Sequence, residues 1–158
     1  MALRFTNDNS FIRLLGDNTS EFITLSPGQL TNIPGGVWLR GGNDTVIGSA
    51  DSELILGNDG QDSISGGAGN DTLIGGKDND QLDGGSGNNS IRADANEDII
   101  RGGDGNDSLF GGKGNNQLFG DTGDDFLSGA QGNDTLTGAG VNPLHFLKLG
   151  STQNPPQS

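Results

Sequence analysis

Eleven aliphatic residues stand nine apart without an insertion: Val46, Ile55, Ile64, Leu73, Leu82, Ile91, Ile100, Leu109, Leu118, Leu127 and Leu136. One apolar residue in nine is too sparse for the buried stripe of a helix. It suits a short strand that buries one side chain and then turns. The 30 glycines argue the same way, since each costs a helix interior about 1 kcal/mol. Only 29% of the chain is hydrophobic, too little for a large conventional core. A repeat architecture needs less, because each unit buries its apolar residue against its neighbours.

Two further columns share the period. Two residues before each aliphatic stand Asp44, Glu53, Asp62, Asp71, Asp80, Asn89, Asp98, Asp107, Asn116, Asp125 and Asp134. Eight of the eleven are aspartate, and a merely solvated strand face would not hold one acid so strictly. Two residues earlier again stand Gly42, Asp51, Gly60, Gly69, Asp78, Gly87, Asn96, Gly105, Gly114, Gly123 and Gly132. Every exception to glycine is Asp or Asn, the residues that next best tolerate positive φ. This column predicts a turn residue with left-handed backbone geometry. Short carboxylates beside glycine turns suit Ca²⁺, a hard cation that takes six to eight oxygens at about 2.3–2.6 Å. Glycine lets the turn aim its carbonyls at the same centre.

Residues 66–74 read GGAGNDTLI, residues 102–110 GGDGNDSLF and residues 129–137 GAQGNDTLT. These resemble the repeats-in-toxin (RTX) consensus G-G-x-G-x-D-x-U-x, with U aliphatic. The resemblance covers roughly two thirds of the chain. It implies an all-β, right-handed parallel β-roll with short N- and C-terminal caps, binding several Ca²⁺. It also implies that each repeat is half a coil, so that repeat i stacks on repeat i+2 with an ion between their turns. Asp44, Asp62, Asp80, Asp98, Asn116 and Asp134 then share one edge; Glu53, Asp71, Asn89, Asp107 and Asp125 share the other. The expected metal ligands are Asp44, Asp62, Asp71, Asp80, Asp98, Asp107, Asp125 and Asp134. The strongest expected pairs are Asp44–Asp62, Asp62–Asp80, Asp80–Asp98 and Asp107–Asp125. Pairs with Asn89 or Asn116 are expected to be weaker, and Glu53–Asp71 is a poor candidate. Residues 48–56 and 93–101 depart most from the consensus. The resemblance further implies a chain that folds on binding calcium after type I secretion, and so an extracellular place.

The expected organisation is a capping segment over residues 1–38, the repeat array over 39–137, and a C-terminal cap with a disordered tail over 138–158. Apolar patches around residues 11–15 and 22–25 are expected to be short strands of the first cap. Pro143 occupies an acid slot and His145 an aliphatic one, so the period stops there. Residues 144–149 are expected to form a last strand or cap. The net charge is −13 and the eight basic residues are scattered, which speaks against nucleic acid or an anionic membrane as partner. No apolar run is long enough to insert in a membrane, and no cysteine is present for disulfides or thiolate metal sites. Calcium ions are the expected partner of a monomer; no protein or carbohydrate partner is indicated. No nucleophile elbow, zinc-protease motif or phosphate loop occurs, and His145 is the one histidine, so no enzyme is expected. The alternative function is a structural or adhesive module in which calcium only rigidifies the scaffold.

Overall fold

The computed structural model describes residues 4–7, 12–29, 36–138 and 145–147. Among them all regular structure is strand. The chain opens with β1 (Arg4–Asn7), β2 (Ile12–Leu15), β3 (Phe22–Thr24) and β4 (Val37–Trp38). The array follows as β5 (Thr45–Ser49), β6 (Leu54–Asp59), β7 (Ser63–Gly67), β8 (Thr72–Lys77), β9 (Gln81–Asp83) and β10 (Ser90–Ala95). It continues as β11 (Ile99–Asp104), β12 (Ser108–Lys113), β13 (Gln117–Thr122), β14 (Phe126–Ser128), β15 (Thr135–Thr137) and β16 (His145–Leu147).

Even-numbered strands β2 to β16, with β1 at the outer edge, make one sheet; odd-numbered strands β3 to β15 make the other. Apart from the antiparallel β1–β2 pair, neighbours run parallel, and the array keeps a register of two repeats. Leu73 pairs with Ile91 and Ile91 with Leu109; Ile100 pairs with Leu118 on the opposite sheet. Each coil therefore spends one repeat on each sheet, the parallel β-roll expected from the sequence.

The aliphatic column is the core. Ten of its members, Val46 through Leu127, are buried, and Leu136 packs against them at the C-terminal end. Ile23, Leu25, Val37 and Leu39 extend this core toward the N-terminus. The strands expected near residues 11–15 and 22–25 are β2 and β3. The coil pattern already holds there, because β3 lies parallel to β5 with Ile23 opposite Val46. At the other end the expected last strand is β16, where Phe146 rather than His145 pairs with Leu127. One added residue shifts the register, which is why the nine-residue count fails at that point. The proposed tail, residues 150–158, lies outside the described residues.

Candidate metal centres

In a repeat numbered so that the acid is position 6 and the aliphatic position 8, the turn is built on two left-handed residues. Position 4 is left-handed in Gly69 (φ 114°) and Gly105 (φ 123°), and also in Asp78 (φ 71°) and Asn96 (φ 82°). Asp51 is a correction to the sequence expectation: it is not among the positive-φ residues. Its carboxylate instead accepts a hydrogen bond from the Gly28 amide, which ties the preceding loop to the array. Position 2, which the sequence reading passed over, is equally left-handed. Gly67 (φ 97°) and Gly103 (φ 101°) hold it in consensus repeats, and Asn58 (φ 77°), Asp94 (φ 81°) and Asp121 (φ 60°) hold it elsewhere. Residues 93–101 thus keep the turn through Asp94 and Asn96, although they lack its glycines.

The turns bring all eight expected aspartates to the two edges, buried, in the order the half-coil repeat requires. Each uses one oxygen to hold the coil before it. Asp62 Oδ1 accepts from the Asp44 amide at 2.9 Å, Asp80 Oδ1 from Asp62 at 2.9 Å, and Asp98 Oδ1 from Asp80 at 2.8 Å. On the other edge Asp71 Oδ1 accepts from the Glu53 amide at 2.7 Å and Asp125 Oδ1 from Asp107 at 3.0 Å. Asn89 and Asn116 keep this role, accepting from the Asp71 and Asp98 amides at 2.9 and 3.0 Å. That explains why asparagine is tolerated in the column: the ladder needs an amide-type oxygen, not a charge.

The second oxygen has no such partner. Oδ2 of Asp44, Asp62, Asp71, Asp80, Asp98, Asp107, Asp125 and Asp134 is buried without a hydrogen bond. In the six turns whose position 1 is glycine, those of Asp62, Asp71, Asp80, Asp107, Asp125 and Asp134, it points into the space above that glycine. A Cβ on Gly57 would overlap both Asp62 Oδ2 and the Gly75 carbonyl of the next coil; one on Gly66 would overlap Asp71 Oδ2 and the Gly84 carbonyl. Two oxygens thus converge with no hydrogen between them. At Asn89 the amide nitrogen stands where Oδ2 would be and donates to the Gly102 carbonyl at 3.3 Å. The space therefore wants a positive partner, and Asn89 supplies one itself, whereas Nδ2 of Asn116 is buried without a partner.

Leaving such a group unpaired costs about 1–3 kcal/mol, and more when it is charged. The electrostatics record that cost. Burial pushes the Asp62 carboxyl up to about 7 and Asp80 to about 8, against the lowering effect of the backbone hydrogen bonds each accepts. Asp71, Asp98 and Asp107 rise to about 6 for the same reason, and burial also raises Asp44 and Asp125. A proton or a cation would relieve each site. Among the described residues no three acidic or histidine side chains converge on one point. A cation held here must take most of its ligands from turn carbonyls, a donor set that suits Ca²⁺.

Glu53 departs from its column. Its two oxygens accept from the Ser49 hydroxyl and, at 3.3 Å, from the Ser49 amide, so neither is free. A second ladder, missed in the sequence, runs on the exposed side of each turn at position 5. Asn70 Oδ1 accepts from the Asn88 amide, Asn88 from Asn106 and Asn106 from Asp124, each at 2.8 Å. These bonds point toward the next coil where the acid column points back, so these turns are laced in both directions. The signal was present: the residue before the acid is Asn at seven of eleven copies.

Stacked left-handed turns with buried, unpartnered carboxylate oxygens facing carbonyls define a cation-binding parallel β-roll. The RTX calcium-binding nonapeptide repeat, four copies to a match, fits residues 38–73, 47–82, 56–91, 83–118 and 110–142. The chain belongs to that family, whose repeats bind calcium ions. No curated protein matches the chain significantly. Among the described residues no helix is long and apolar enough to cross a membrane.

Proposed function

We propose that this β-roll holds several Ca²⁺ between stacked turns through Asp44, Asp62, Asp71, Asp80, Asp98, Asp107, Asp125 and Asp134, and folds on taking them up. The observation that carries the reading is the unpartnered Oδ2 of each aspartate, set against the carbonyl of the next coil where Gly57 and Gly66 report it. Calcium there neutralises the carboxylate and satisfies the carbonyl together. Each aspartate would act twice, with Oδ1 fixing the coil behind it and Oδ2 facing the ion. Without the ion, buried carboxylates stack along both edges of a fold with little apolar burial, so metal binding becomes folding free energy.

The array over residues 39–137 is the calcium-dependent unit in this proposal, with the flanking segments as caps. Folding that waits for calcium suits a chain exported unfolded by a type I route into calcium-rich surroundings, which is the family's usual course. The test is far-UV circular dichroism of chelator-treated protein titrated with Ca²⁺, with Mg²⁺ as control. The expected outcome is a cooperative rise in β signal with calcium alone. A β spectrum indifferent to chelator and calcium would instead favour the rigid scaffold or adhesive module.

A further inference from the structure

The turn formed by residues 16–21 lies outside the family match, yet it keeps the ladder hydrogen bonds and the unpartnered acid oxygen of the later turns, without left-handed residues at positions 2 and 4. Glu21 takes the acid position and Gly16 position 1, with sequence GDNTSE between them inclusive. The Glu21 amide donates to Asp44 Oδ1 at 2.6 Å, the bond that Asp44 in turn makes to Asp62. The Asn43 amide donates to the Ser20 hydroxyl at 3.1 Å, continuing the position-5 ladder. A Cβ on Gly42 would meet the Thr19 carbonyl, as one on Gly60 would meet the Gly42 carbonyl. The turn is a further coil that lacks the glycines at positions 2 and 4.

Glu21 is 4% exposed, and its Oε2 has no hydrogen-bond partner. Its Oε1 is held by the Thr19 hydroxyl at 3.2 Å and the Asp17 amide at 3.5 Å. That leaves Oε2 aimed into the space above Gly16, where a Cβ would lie 2.5 Å from Oε2 and 2.8 Å from the Leu39 carbonyl. The same pairing of acid oxygen and next-coil carbonyl occurs at Asp62 with Gly75 and at Asp71 with Gly84. Asp44, one coil on, adds a second buried oxygen without a partner. Burial first, then the charge of Asp44, raises the Glu21 carboxyl above its ordinary range.

We propose that Glu21 and the Leu39 carbonyl form an additional Ca²⁺ site at the N-terminal end of the Asp44 edge, its acid supplied by a turn that precedes the residues of the family match. This rests on the reading that the other turns bind calcium, and the test separates the two. Trp38 is the one tryptophan, the chain has no tyrosine, and Trp38 adjoins Leu39. Tb³⁺ luminescence excited through Trp38 therefore favours ions at this end. The variant is Glu21→Gln, whose amide can donate to the Leu39 carbonyl as Asn89 donates to that of Gly102, so the coil keeps its contacts without an ion.

By equilibrium dialysis with Ca²⁺, Glu21→Gln is expected to lose one ion relative to wild type, with Trp38-sensitised Tb³⁺ emission falling more than the ion count. Equal counts and equal emission in the two proteins would overturn the proposal. A wild type that takes up no calcium would overturn the parent reading instead. If Glu21→Gln fails to give the wild-type spectrum at saturating calcium, Glu21→Asp decides. Its shorter carboxylate should shift the Trp38-sensitised Tb³⁺ titration, and a titration that overlays wild type would sink the site.

Discussion

Turns 48–53 and 66–71 are stacked neighbours on one edge, yet they treat the same acid position in opposite ways. Asp71 keeps Oδ2 unpartnered beside the Gly84 carbonyl. Glu53 folds its longer carboxylate back onto Ser49, which occupies both oxygens. The backbone differs as well: Gly67 and Gly69 are left-handed, whereas Ser49 and Asp51 are absent from the positive-φ residues. A Cβ on Gly48 would meet the Gly66 carbonyl, with no carboxylate among its nearest atoms. An acid in the column is therefore not sufficient for an ion site. What separates Asp71 and Glu21 from Glu53 is that each keeps one buried oxygen without a hydrogen-bond partner, whereas Ser49 occupies both of Glu53's.

Removing an acid with two stacked neighbours should have the largest effect. Asp62→Ala strips the cap from the Asp44 amide and removes the acid common to the proposed Asp44–Asp62 and Asp62–Asp80 sites. It is expected to cost about two ions and about 1–3 kcal/mol of stability at saturating calcium. Asp134→Ala, at the end of the same edge, uncaps only the Asn116 amide and should lose one weakly held ion. Dialysis counts and urea titrations compare them; equal losses would remove the ranking of sites along the edge.

A smaller effect separates the ladder from the ion. Asp71→Asn keeps the oxygen that caps the Glu53 amide and replaces Oδ2 by a donor, as Asn89 does naturally. It should lower calcium uptake while leaving stability at saturating calcium within about 1 kcal/mol of wild type, whereas Asp71→Ala should lose the cap as well. Matching urea midpoints for the two variants would show that the ladder bond contributes little.

The pH dependence is expected to be graded. Folded-state values of about 6 for Asp71 and about 8 for Asp80 lie above the ordinary 3.8. The metal-free fold then binds more protons than the unfolded chain between about pH 4 and 8, so its stability falls as pH rises through that window. It is greatest below the unfolded value and lost above the folded one. Circular dichroism in chelator should show more β signal at pH 4.5 than at pH 8, and calcium uptake near neutral pH should release protons. A calcium-free fold that strengthens with pH would contradict the burial of these acids.

Much of this was legible because strict spacing forces strict geometry. A constant nine places Val46 to Leu136 alternately on the inward faces of the two sheets, and the acid two residues earlier must then fall at the bend. What escaped the sequence was whatever broke the spacing or acted through backbone atoms. Glu21 precedes Asp44 by more than a coil and has no glycines at positions 2 and 4 to announce its turn. Nothing in a column of aspartates says that one oxygen of each is spent on an amide. Asp51 looked like a left-handed substitute for glycine and proved to be an anchor for Gly28, because its side chain found a partner that Asp78 and Asn96 lack.

The smallest expected effect tests the comparison most directly. If Glu53 is closed by Ser49, Glu53→Gln should leave calcium uptake unchanged, since it removes an acid that faces no ion. Opening the turn should then create a site. Ser49→Gly combined with Glu53→Asp removes the hydroxyl that captures the carboxylate, restores left-handed freedom at position 2, and sets a short acid above Gly48, where the Gly66 carbonyl already points. The double variant should gain about one ion over wild type in dialysis. Loss of an ion in Glu53→Gln would place Glu53 among the ligands, and the contrast with Asp71 would then lie in side-chain length alone.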